Sequence, residues 1–528
     1  MLSIQNITYI HPDKEVLFRN ISFSIKKQEK TALIGNNGTG KSTLLKIIRG
    51  ILQPSEGSVQ FESVPYYIPQ HFGQFDNCSI AEALHVKNKV TALHEILKGD
   101  ASETNLSLLN DDWTIEERCF EALSYWGLKD IPLTNNLCTL SGGEKTKVFL
   151  AGILIHEPDI VLFDEPTNHL DTNSREMLYG YVKSCDRTLV VVTHDRALLQ
   201  LFTTICELDK NGIKVYGGNY DFFIEQKEIE ENAFFQQYEN KEKALKTAKK
   251  IEQEAMERKQ RQNARGKGKL EKENMPRILR KTMRNKAEAT TTKLKKVHSE
   301  KISSISDELK QMREKIPDIR KFKLDFYNST LHNGKTLIEA HSLNFKYGEL
   351  FLWKQPLSFH IMSGERICIK GQNGSGKSTL IKLMLGDLMP GSGELKKADF
   401  KSIYIDQDYS IVNNNLTVYE HTLLYNFSHL QEHDIKIRLN RFLFDKDFWD
   451  KPCSTLSGGE KMRLMLCSLM IGDNAPDLFV LDEPTNNLDI QNIKILASTI
   501  NEYKGTLIVV SHDCSFLEDI NVDRTIEI

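Results

Sequence analysis

The sequence predicts an α/β protein in which one domain occurs twice, the two copies being joined by a long α-helical hairpin. Three observations lead there. Four short strings recur in one order along the chain. In each copy these strings border apolar runs of strand length that alternate with helix-like apolar periodicity. Between the copies lies a stretch rich in Glu, Lys, Gln and Ala, the composition of long solvent-exposed helices.

The first string is "GNNGTGKST" at Gly35 and "GQNGSGKST" at Gly371, an offset of 336. "LSGGEK" at Leu140 and Leu456 follows at an offset of 316, then "DEPTNHLD" at Asp164 and "DEPTNNLD" at Asp482 at 318. "THD" and "SHD" around His194 and His512 close the series, again at 318. The copies span about 1–225 and 337–528, leaving 226–336 to join them. The fall in offset after the first string gives copy one about 20 extra residues, a possible short arm within about 86–118.

A length of 528 residues is too great for a single core and fits two large domains plus a smaller unit. The apolar share of 40% and charged share of 27% are those of a globular chain. Apolar runs such as "TLIVV" and "LFVL" are far short of a bilayer span and read as buried strands. The opening "MLSIQNITYI" predicts a strand rather than an export leader, and the second copy reaches the end of the chain without an added domain. The nine cysteines form no C-x-x-C pair, so buried free thiols are expected instead of disulfides or a zinc site.

The glycine-rich strings follow the strands "TALI" and "RICI" and open the helices "STLLKII" and "STLIKLM". That context is a phosphate cradle, in which glycines turn backbone N–H groups inward and the helix N-terminus favours negative charge. Gly35-Asn36-Asn37-Gly38-Thr39-Gly40-Lys41-Ser42-Thr43 forms one cradle. Gly371-Gln372-Asn373-Gly374-Ser375-Gly376-Lys377-Ser378-Thr379 forms the other. Lys41 and Lys377 are expected on β- and γ-phosphate oxygens, and the Ser42 and Ser378 hydroxyls on Mg²⁺.

Two adjacent carboxylates ending an apolar strand are costly unless they hold a metal and a water. Asp164 and Asp482 are therefore assigned to the magnesium shell, and Glu165 and Glu483 to polarising the attacking water as general bases. His194 and His512 end later strands and are candidates for the γ-phosphate. Ser141-Gly142-Gly143 and Ser457-Gly458-Gly459 offer hydroxyl and backbone donors at a helix start, suited to phosphate.

Together these strings closely resemble the ATP-binding-cassette ATPases over about 400 residues. The resemblance implies two ATP-binding-cassette domains, with ATP and Mg²⁺ held at two head-to-tail sites. Site one would unite Lys41, Asp164, Glu165 and His194 with Ser457, and site two Lys377, Asp482, Glu483 and His512 with Ser141. It also makes Gln70 and Gln407 the loop glutamines that sense magnesium and nucleotide, and places Tyr347 and His11 at the adenine-stacking positions, with Tyr9 two residues before His11. Pairing within one chain implies no obligatory oligomer.

The net charge of −3 conceals an asymmetry: residues 226–324 hold 28 Lys+Arg against 16 Asp+Glu. Within them, residues 258–296 hold 15 Lys+Arg and 3 Asp+Glu. Helix is expected from Phe222 to about Gln262, with a break at "RGKGK" from Arg265. A second helix is expected from about Lys286 to Ile316, with Leu294, Val297, Ile302, Ile305, Leu309, Met312 and Ile316 as its seam. Positive charge gathered at one end of a hairpin points to a polyanion, with RNA ahead of DNA.

Tandem cassettes without a membrane span, with a basic hairpin and the "YGGNYDFFIEQK" junction at Tyr216, resemble the ABC-F subfamily. That resemblance implies a cytoplasmic protein that binds the ribosome, its RNA and tRNA, at the tRNA exit site through the basic linker. Its role there would be that of a translation factor or a ribosomal protection protein against antibiotics. The competing expectations are an energy-coupling subunit of a transporter with separate membrane partners, and a DNA-maintenance ATPase.

Overall fold

A computed structural model gives the fold and describes residues 1–12, 14–209, 212–272, 277–314, 331–332, 334–472 and 476–528. Two compact bodies are present, one of residues 1–223 with 321–528 and one of residues 224–320.

In the larger body each copy builds a mostly parallel sheet. The first copy orders its strands Tyr66–Ile68, Ile160–Asp164, Thr188–Val192, Lys30–Ile34, Thr204–Asp209 and Gly212–Gly217, only the last running antiparallel. The second orders Ser402–Ile405, Leu478–Asp482, Thr506–Val510, Arg366–Lys370 and Arg524–Glu527, all parallel. Central strands such as "IVLFD" and "TLVVV" are buried along their whole length, as a parallel sheet covered on both faces requires. An antiparallel three-stranded sheet completes each copy, led by Leu2–Ile10 in the first and Thr336–Asn344 in the second.

Parallel strands share one carboxyl edge, and open α/β sheets bind ligands there. The chain therefore delivers the glycine-rich loop after Ile34, the acid pair at Asp164 and the histidine after Val192 to one edge. The second copy does the same after Lys370, at Asp482 and after Val510. The extra residues of copy one form the helices Lys87–Leu97 and Glu103–Leu109, packed on each other. Among the described residues the nine cysteines are free, and six are buried.

In the smaller body the sequence underestimates the helices. The first runs from Tyr220 to Lys272, through the expected break at Arg265, and the second begins at Arg277 rather than near Lys286. A helix has 3.6 residues per turn and the backbone bonds of a long run outweigh two glycines costing roughly 1 kcal/mol each. The two helices are joined by an ion pair between Lys241 and Glu308. Of the expected seam, Leu309 is buried and Ile302, Ile305 and Met312 are half-buried, whereas Val297 is exposed. The side chains of Leu294 and Ile316 lie outside the described residues. Among the described residues no helix is long and apolar enough to cross a membrane.

Candidate nucleotide sites

Each glycine-rich loop ends at a left-handed glycine, Gly40 with φ +92° and Gly376 with φ +94°, which caps the following helix. A Cβ on Gly40 would stand 2.6 Å from Leu17, so the tight turn admits no side chain. Lys41 Nζ donates to the Gly35 and Asn36 carbonyls at 2.7 and 3.1 Å, and Lys377 Nζ to those of Gly371 and Gln372 at 2.8 and 3.1 Å. Both ammonium groups are thereby held inside the cradle. Thr39 bonds the Asn36 carbonyl, and Ser375 offers its carbonyl to Trp353 Nε1, bracing the two loops.

Ser42 Oγ donates to Asp164 at 2.9 Å and Ser378 Oγ to Asp482 at 2.9 Å. The same aspartates accept from Tyr67 at 2.9 Å and Tyr404 at 3.0 Å. Sequence reading missed these tyrosines, although each stands three residues before its glutamine in "YYIPQ" and "IYIDQ". A hydroxyl beside one carboxylate is a donor set that suits Mg²⁺, which keeps most of its shell for water and phosphate oxygens. Among the described residues no group of three or more His, Cys, Asp or Glu could hold a metal ion.

Glu165 and Glu483 sit in the left-handed region, at φ +51° and +50°, where few residues other than glycine settle. A backbone bond from each N–H to Val192 or Val510 pins this conformation. Burial raises Glu165 to about 8 and Glu483 to about 7, with Lys41 and Arg175 respectively opposing the rise. Burial likewise lowers Lys41 and Lys377, drives His194 well below its ordinary value and takes His512 to about 4. The 3.3 Å approach of His194 to Glu165 is therefore contact between neutral groups and not an ion pair.

A carboxyl raised on folding binds its proton more tightly in the folded chain, so its contribution is complete below the unfolded value near 4.5 and is lost as pH climbs to 7–8. The nucleotide-free wild type should therefore lose thermal stability between pH 5 and pH 8 relative to Glu165→Gln with Glu483→Gln, which cannot ionise there. Differential scanning of both proteins checks this, and parallel pH curves would contradict it.

The two copies face each other head to tail. A cavity of ≈ 570 Å³ is lined by His11, Asn37, Gly38, Gly40, Lys41, Ser42, Thr43, Gln70, Glu165 and His194 of copy one. The opposite wall is Ser457, Gly458, Lys461, Asn487 and Gln407 of copy two. A second cavity of ≈ 240 Å³ is lined by Asn373, Gly374, Gln407, Glu483 and His512 with Ser141, Gly142 and Gly143. Gln407 thus borders both cavities, and Tyr347 lines neither: it is exposed, its hydroxyl 3.1 Å from Thr379 Oγ1. Gly459 packs against Asn492 of its own copy.

The same contact seals both ends. Asn37 Nδ2 donates to the Asn487 carbonyl and Asn373 Nδ2 to the His169 carbonyl, each at 2.7 Å. Asp489 adds an acceptor for the Asn37 N–H at 3.0 Å. His169, Asn487 and Asp489 were not singled out from sequence, but the recurrence of "TNHLD" and "TNNLD" marked their segment. Ser141 and Ser457 cap their helices in reciprocal boxes with Glu144 and Glu460, a pattern written in S-x-x-E. These caps leave the following glycine N–H groups at a helix start, and Gly142, Gly143 and Gly458 line the cavities shared with the opposing copy.

Residues 18–168 and 354–486 both match the family described as ABC transporter. "ABC transporter F family member 2" of Arabidopsis thaliana is 30% identical over 99% of this chain and 76% of its own length. This chain belongs to the ABC transporter family, in its F branch. "ATP-binding protein Uup" of Haemophilus influenzae is also 30% identical, over 98% of this chain and 77% of its own. Among solved structures, an archaeal ribosome recycling factor, aABCE1, in complex with the ribosomal stalk protein aP1 shares the fold at a TM-score of 0.59. That match has 19% identity and covers 99% of this chain and 87% of the other. A structure titled as a model of ribosome-bound archaeal Pelota and ABCE1 matches at 0.57, with 20% identity over 99% and 76%. The chain is accordingly an ATPase of two tandem cassettes.

The sites fit nucleotide. Both ring nitrogens of His194, which lines the first cavity, and both carboxylate oxygens of Glu483, which lines the second, are buried without a well-formed hydrogen bond. A Cβ at Gly38 or Gly374 would meet nothing within 4 Å, so each loop opens onto free space. Ser42 with Asp164, and Ser378 with Asp482, would hold magnesium, which when bound would supply charge neutralisation for the phosphates.

Proposed function

We propose that the two cassettes bind Mg·ATP at the two composite sites and that the closed pair acts on the ribosome in the cytoplasm, as a translation factor or a ribosomal protection protein. In each site the lysine and the opposing serine–glycine–glycine segment hold phosphate, the glutamate takes the water's proton, and the histidine holds the γ-phosphate. Hydrolysis removes the group that bridges the cassettes, which then part and release the target. ATP thereby times residence on the ribosome.

The observation that carries the ribosomal part is the hairpin of residues 224–320, whose described cations Arg258, Arg261, Arg265, Lys281, Lys286 and Lys295 are exposed. Exposed cations on long helices bind phosphate backbones without reading bases. The fold shared with a ribosome-bound archaeal factor supports the same reading. Met275, Met283 and Arg284, at the expected tip, lie outside the residues whose side chains are described.

Co-sedimentation of the Glu165→Gln, Glu483→Gln protein with ATP tests it. The protein should pellet with ribosomes; recovery with membranes or DNA instead would overturn the proposal. Neutralising Lys281, Arg284 and Lys286 together should weaken ribosome binding and lower its salt slope by about 2–3, about one per phosphate contact. An unchanged slope measured by filter binding across a salt series would remove the hairpin from the interface.

A further inference from the structure

We propose that Thr172 and Arg175 of the first cassette form a latch on the His512 loop of the second, positioning the second ATP site from across the interface and making the two sites unequal. Thr172 Oγ1 lies 3.1 Å from His512 Nδ1. Arg175 Nη1 donates to the His512 carbonyl at 3.4 Å and Nε to the Leu170 carbonyl at 3.1 Å. The guanidinium stands 3.6 Å from Asp195, which is itself held by Tyr179. Arg175 is 7% exposed, so its planar fork grips three chain segments out of water, a task suited to arginine rather than lysine.

Arg175 borders the His194 loop too, through Asp195, but the latch bonds only one of the two histidines. It holds the His512 ring through Nδ1 and its backbone through the carbonyl, leaving Nε2 3.4 Å from Lys377 Nζ and 3.5 Å from Glu483 Oε1. Arg175 also lines the second cavity beside Glu483 and His512. At the offset of 318 that relates the acid-pair strings, the counterparts of Thr172 and Arg175 are Ile490 and Ile493. Neither isoleucine side chain can make a hydrogen bond, and both ring nitrogens of His194 lack a well-formed one. The second histidine ring is therefore held by a hydrogen bond from across the interface, and the first is held by packing alone. Second-layer contacts of this kind set ring orientation without touching the reacting atoms.

The inference rests on the two-site reading above, and its test has one arm that depends on that reading and one that does not. In the first arm Thr172→Val and Arg175→Met are placed in Glu165→Gln, where only site two turns over, and in Glu483→Gln, where only site one does. The loss of kcat in the first background should exceed that in the second by about tenfold or more, with KM for ATP moving less. Arg175→Lys should recover part of it. Equal losses in both backgrounds would reduce the pair to general stability and overturn the latch. If neither single glutamine variant isolates a site, the composite-site reading fails instead.

The second arm measures amide hydrogen exchange in the full chain without added nucleotide and with both glutamates intact, since the latch contacts are made without nucleotide or glutamine substitution. Thr172→Val, which alters one hydroxyl and keeps the chain's shape should Arg175→Met not fold, should speed exchange over residues 511–516. Unchanged exchange there overturns the proposal whatever the turnover shows.

Discussion

Replacing Glu165 and Glu483 together with glutamine should leave ATP binding intact and slow hydrolysis by about 10²–10⁴-fold, the contribution of a positioned general base. The amide keeps the volume of the carboxyl and its left-handed backbone, which rests on main-chain bonds to Val192 and Val510 rather than on the side chain. Both carboxyls are raised by burial and would need the charge of a bound metal and nearby lysine to ionise. Glutamine removes the base and also the repulsion between its charge and nucleotide phosphate. Nucleotide affinity should consequently rise or hold while turnover collapses. Single-turnover hydrolysis beside equilibrium nucleotide binding makes the comparison, and near-normal turnover in the double variant would show that other groups take the proton.

Gly143→Val should abolish productive closure of site two, lowering its turnover by about 10²-fold or more, on the scale that an ångström of misplacement costs. The reason is clearance. A Cβ at Gly143 would stand 2.6 Å from the His169 carbonyl and 2.9 Å from Asn373 Nδ2, the two partners of the bond that seals that end. Side chains with backbone neighbours on one side and a sealing amide on the other have nowhere to go, so the opposing loop must retreat. Site one lacks this contact with Gly143 and should keep most of its activity, read in a Glu483→Gln background. Equal damage at both sites would mean that the helix Gly142–His156 had been disrupted as a whole.

Much of this site is written locally. The glycine-rich loops, the acid pairs and the capping boxes each need only neighbours within a few residues, so their strings announce them wherever they occur. The parallel sheet then follows from short apolar strands alternating with helices, and it brings the string ends to one edge. Repetition strengthened each assignment, since a contact made twice leaves two copies of its string.

Other features escaped reading for definite reasons. Tyr67 and Tyr404 touch their aspartates at 2.9 and 3.0 Å only because neighbouring strands are in register. The extension of the hairpin's first helix through Arg265 was hidden by two glycines whose local cost the long helix absorbs.

By itself, then, the sequence determined which chemical groups each cassette carries and that there are two of them, because those groups are fixed by bonded neighbours and turn geometry. Only the tertiary structure decided who completes whom: Asn373 on His169, Asn37 on Asn487, and Thr172 with Arg175 on His512. Those pairings join residues 204 to 450 positions apart, and the last belongs to one copy alone. Contacts across such distances depend on how two folded surfaces meet, and a side chain without a repeated counterpart leaves no periodic trace in the chain.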